Sequence, residues 1–87
     1  MPKDQIKQLL LALKEEASEK PVSDEQQAQL QQIEDDVNNS IAEEPLNEDL
    51  MDIQQTLEAL EVEFEVSHPS IAYIIKNIIE TLAKMGV

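Results

Sequence analysis

The sequence predicts an all-α protein, a small up-and-down helical bundle of about four helices that a second copy would complete. Three observations carry this. Apolar residues recur at steps of three and four, the spacing of one helical face rather than of a strand. The chain has one glycine and four prolines, too few turn formers for a small β domain. Leu, Glu, Gln, Lys and Ala are abundant, and all favour helix. With Phe64 and Tyr73 as the only aromatics, the core must be aliphatic. Eighty-seven residues make one domain, 1–87, because a chain this short buries only about 60% of its unfolded surface.

The first helix is expected over residues 3–19. Ile6, Leu9, Leu10, Leu13 and Ala17 fall on one face, Glu16 stands four before Lys20, and Pro21 ends the run. The second is expected over 24–43. Ser23 and Gln26 form a capping box at its start. Its apolar stripe of Leu30, Ile33, Val37 and Ile41 is narrow, so this helix needs a partner surface and is the weakest of the four. Its glutamines Gln26, Gln27, Gln29, Gln31 and Gln32 are read as adding solubility and helix propensity with little packing.

Pro45 separates the second helix from the third, expected over 48–66 with Asn47 as its cap. From Leu46, the residues Leu50, Ile53, Leu57, Leu60 and Phe64 follow at steps of 4, 3, 4, 3 and 4. That heptad seam is the strongest periodic signal in the chain and calls for a long helix–helix contact, within one chain or between two. His68-Pro69 makes the next break, because the proline ring pushes His68 away from helical geometry and suits the first turn beyond it. The fourth helix, over 69–85, carries Ile71, Ala72, Ile74, Ile75, Ile78, Ile79, Leu82, Ala83 and Met85. This is the widest apolar arc of the four, and it is expected at the centre of the bundle. Gly86 is the expected C-cap.

Charge narrows the function more than any motif. The formal net charge is −13, the chain has no arginine, and all six lysines lie before Pro21 or after Tyr73. Between those two residues stand 14 acidic side chains and no cation. Such a belt repels nucleic acid and anionic membrane, so neither is expected as a partner. The absence of cysteine fits a reducing compartment, and no signal peptide or membrane span is evident; a cytoplasmic protein is the expectation.

The chemistry is sparse. Asp36-Val37-Asn38-Asn39-Ser40 begins like a calcium loop but has Ile41 where glycine is required and Asn47 where a bidentate Glu belongs. Glu65-Val66-Ser67-His68 spells a di-iron motif, yet the chain has a single His, beside a proline. The bland reading of His68 and Pro69 is a helix-turn signature, with His68 capping the last helix or sealing the turn beside Phe64. No phosphate loop, triad or paired-carboxylate cleft can be placed, so no enzyme, cofactor or metal is expected.

Phe64-Glu65-Val66-Ser67-His68-Pro69-Ser70-Ile71-Ala72, with the closing run Leu82-Ala83-Lys84-Met85-Gly86-Val87, resembles the domain-of-unknown-function family 4404. The match is specific over about residues 57–87 and compatible over 1–56. Ser67, Ile71 and Val87 depart from the family's commoner residues without disturbing it. The resemblance implies a helical intracellular bacterial protein and supplies no catalytic residue. The functional expectation is therefore an acidic, non-enzymatic protein–protein interaction module. Its interaction seam would be Leu50, Ile53, Leu57, Leu60, Phe64, Ile71, Ile75, Ile78 and Leu82. Partners would be a second copy, in a dimer, and an unidentified protein. Two alternatives stand beside it: an acidic decoy that imitates nucleic acid toward a basic protein, and a carboxylate/His metal site in a dimer.

Overall fold

Helices form wherever the 3–4 spacing runs, and two of them begin at a proline, Pro2 and Pro69. The computed structural model describes residues 2–19, 22–42 and 47–84, with the side chains of Pro2, Ile41, Ala42 and residues 47–50 left aside. Four helices account for nearly all of these residues: α1 Pro2–Glu19, α2 Asp24–Ala42, α3 Asn47–Ser67 and α4 Pro69–Lys84. Lys20, Pro21, Glu43, Pro45, Leu46, Met85 and Gly86, and the side chains of Ile41, Asn47 and Leu50, lie outside the described residues.

Local chemistry sets the boundaries that can be seen. Ser23 Oγ accepts from the Gln26 N–H at 3.1 Å, and Gln26 Oε1 accepts from the Ser23 N–H at 3.1 Å, so the capping box closes in both directions. At the other break a single residue, His68, separates α3 from α4. Its N–H donates to the Phe64 carbonyl at 2.8 Å, finishing α3. Its own carbonyl accepts from the Ile71 and Ala72 N–H groups at 3.0 and 3.1 Å, starting α4.

Successive helices run antiparallel. Gln54, early in α3, reaches the carbonyl of Ile79, late in α4, at 3.5 Å. Leu13 and Ala17 lie beside Leu30 and Gln27, while Lys7 lies beside Asn38. Each helix packs on its neighbour in sequence, and α4 closes the ring by packing on α1. The backbones of α1 and α3, and of α2 and α4, sit across the diagonals and make no close approach among the described residues. The last helix is therefore a corner of a four-sided bundle rather than its centre. It still has the broadest contacts, with α3 and α1, because its apolar arc faces two neighbours at once. Helix α2, with the narrowest stripe, has the thinnest.

One apolar core fills the bundle. It takes Ile6, Leu10, Leu13 and Ala17 from α1, and Leu30, Ile33 and Val37 from α2. From α3 come Ile53, Leu57, Leu60 and Phe64, and from α4 Ile71, Ala72, Ile75, Ile78 and Leu82. Thr81 is the one buried polar residue among those described, and its hydroxyl donates to the Asn77 carbonyl at 2.8 Å.

Candidate functional site: an acidic groove between α2 and α3

The ring closure sorts the charge. Helix α1 sets Lys3, Lys7 and Lys14 against Asp4, Glu15, Glu16 and Glu19, a net −1; α4 sets Lys76 and Lys84 against Glu80, a net +1. The α1–α4 half is therefore neutral. Helix α2 has five acids and α3 seven, with no cation on either, so the α2–α3 half carries −12. In sequence the two neutral segments lie at opposite ends. They become neighbours because α4 packs on α1.

A groove runs along the α2–α3 seam. One part, of about 330 Å³, is lined by Gln29, Gln32, Ile33 and Asp36 from α2 and by Thr56, Ala59, Leu60 and Glu63 from α3. A second part, of about 290 Å³, continues toward Ser40 and Asp52 and shares Asp36 with the first. The α3 wall consists of Asp52, Thr56, Ala59 and Glu63, at steps of 4, 3 and 4. Each wall residue stands one position ahead of a buried seam residue, Ile53, Leu57, Leu60 or Phe64. A heptad face thus borders the core seam and looks outward beside it.

On the α2 wall Gln32 Nε2 donates to Asp36 Oδ1 at 3.0 Å, one helical turn on. Outside the groove lining, Gln31 Nε2 donates to Asp35 Oδ1 at 3.2 Å in the same way. In a helix without lysine, these amides are the donors that steady the carboxylates. The expectation of solubility and helix propensity with little packing did not specify these exposed amide–carboxylate bonds. Gln29 Oε1 is shielded from solvent and receives no hydrogen bond.

The expected seam residues are placed elsewhere. Ile53, Leu57, Leu60, Phe64, Ile71, Ile75, Ile78 and Leu82 are buried inside the single chain. They form the core of one chain, one of the two roles that the heptad spacing left open. His68 is half-buried, and its ring lies 5.9 Å from that of Phe64, tilted by 52°. That seals the turn, as one of the two bland readings expected. Pro69 begins α4. Among the described residues no three His, Cys, Asp or Glu side chains gather where they could hold a metal ion. No described helix is long and apolar enough to cross a membrane. Sequence reasoning did not place Gln29, Thr56 or Ala59 at a groove. The signal that could have found Thr56 and Ala59 is the 4–3–4 stripe one residue ahead of the main seam.

A family model for the domain of unknown function DUF4404 matches residues 6–87. The chain belongs to the DUF4404 family. The match extends the resemblance from the His-Pro turn and closing run back through α1 and α2, so the acidic groove lies wholly inside the DUF4404 domain. No curated protein and no solved structure matches this DUF4404 chain.

Proposed function

We propose that this DUF4404 protein is a non-enzymatic acidic interaction module of the bacterial cytoplasm, and that its working surface is the α2–α3 half. The observation that carries this is the charge partition: −12 on two adjacent helices against zero on the other two. A field that one-sided steers cationic partners to one face and repels nucleic acid and anionic membrane. The groove on that face offers apolar floor as well as charge. Affinity capture from host lysate tests the reading. A partner should be retained at about 0.15 M salt and released at about 0.5 M, where the screening length falls to a few Å. It should also be lost when Asp35 and Asp36 are both changed to Lys. Capture that ignores both salt and these substitutions would exclude the acidic face.

The same partition favours a second reading, an acidic decoy for a nucleic-acid-binding protein. Glu34, Asp35, Asp36, Glu43, Glu44, Glu48, Asp49, Asp52, Glu58, Glu61, Glu63 and Glu65 would stand in for a phosphate backbone, with Glu43, Glu44 and the side chains of Glu48 and Asp49 outside the described residues. Competition between duplex DNA and this protein for the captured partner discriminates, because a decoy's partner is displaced by DNA.

A two-fold homodimer is a separate proposal. The core closes within one chain, so its support is the apolar surface left outside α3 at Met51 and Val62. Sedimentation at rising salt tests it. Screening should strengthen contact between two like-charged copies and weaken capture of a cationic partner.

A further inference from the structure

The α2–α3 groove has the form of a seat for a fifth helix, and we propose that its occupant is a basic amphipathic helix of a partner protein. The proposal rests on the acidic-interaction reading and deepens it by naming the partner's shape. Three features of the groove specify that occupant.

First, the wall Asp52, Thr56, Ala59 and Glu63 has heptad spacing, the pattern into which a neighbouring helix inserts side chains. Ala59 is small and exposed at its middle, so an incoming backbone can come close. Second, the floor is apolar where Ile33 and Leu60 line one part and Ile53 the other, and it matches an occupant with one apolar stripe. Third, the rims are anionic at both ends and in the middle, at Glu63, Asp36 and Asp52, with no lysine on either helix. From Gln29 to Ser40 the trough runs about 16 Å at 1.5 Å per residue, room for about three turns. The occupant therefore carries Lys or Arg along both flanks of an apolar stripe about 11 residues long.

Fluorescence anisotropy with three labelled synthetic peptides tests this at about 0.15 M salt. The probes are an amphipathic Lys/Leu/Ala helix, a scrambled peptide of the same composition, and an oligolysine of the same charge. The variants are Ala59→Gln, which fills the groove without changing charge, and Asp36→Lys with Glu63→Lys. Glu15→Lys with Glu19→Lys makes the same charge change on the neutral half, and circular dichroism verifies that each variant is folded. The expected result is that the amphipathic helix binds at least about tenfold more tightly than either other probe. Ala59→Gln and the groove double variant should each weaken it about tenfold, with the α1 double variant within about twofold of the parent. Equal binding of all three probes, or indifference to Ala59→Gln, would overturn the groove while leaving a diffuse acidic interaction surface standing. If no cationic probe binds, both readings fall.

Discussion

The rings of Phe64 and His68 lie 5.9 Å apart, tilted by 52°, while the His68 N–H donates to the Phe64 carbonyl at 2.8 Å. Side chain and backbone thus fasten the same pair twice, one helical turn apart. A single residue links α3 to α4, and the broadest helix contact in the molecule begins at that link. Phe64 is fully buried beneath it.

Phe64→Ala should therefore be among the most damaging single changes. Removing a buried phenyl costs about 3–5 kcal/mol, a large share of the roughly 5–15 kcal/mol that holds a domain together. Val66, two residues on and 92% exposed, is the internal control. Val66→Ala should stay within about 0.5 kcal/mol of the parent. Urea unfolding followed by circular dichroism measures both, and a Phe64→Ala midpoint close to that of Val66→Ala would contradict the packing described.

His68→Ala removes the ring contact and leaves both backbone hydrogen bonds available. The expected loss is about 0.5–1.5 kcal/mol, the worth of an aromatic pair. Metal analysis of the purified protein should read the same before and after the substitution. Stoichiometric metal that disappears with His68 would instead favour the carboxylate/His site.

Ser23→Ala breaks the reciprocal cap at the start of α2. The cost should be about 1 kcal/mol, and amide exchange should rise first in the opening turn of α2, at Gln26 and Gln27. Helix α2 has the thinnest packing, so its amides should exchange faster than those of α4 even in the parent. Slower exchange in α2 than in α4 would reverse that order of stability.

Added salt should raise the melting temperature, because it screens repulsion among the carboxylates of α2 and α3. The substitutions Glu58→Lys and Glu15→Lys change the net charge equally, but Glu58 lies on the −12 half and Glu15 on the neutral half. Glu58→Lys should stabilise by about 0.5 kcal/mol and Glu15→Lys by less. Equal effects in a thermal melt would mean that the partition of charge is not felt by the fold.

Much of the fold is legible in the spacing of apolar residues, because helix faces and their breaks are local properties. The described core of α2 is Leu30, Ile33 and Val37, read from spacing alone, and the capping box forms as Ser23 and Gln26 imply. The seam Ile53, Leu57, Leu60 and Phe64 was equally plain, but its partner was not. Heptad spacing announces that a helix will be met without saying whether the same chain supplies it. The groove stayed hidden for a related reason. Asp52, Thr56, Ala59 and Glu63 read as an ordinary solvated face until α2 is laid beside them.

The order of residues by itself determined four helices, an aliphatic core and an anionic middle, since each follows from side-chain chemistry over a few turns. Only the packing of α4 on α1 decided that two neutral segments from opposite ends of the chain share one side. That choice depends on which apolar faces fit together across the bundle. It leaves α2 and α3 side by side, with Asp36, Asp52 and Glu63 along a common trough.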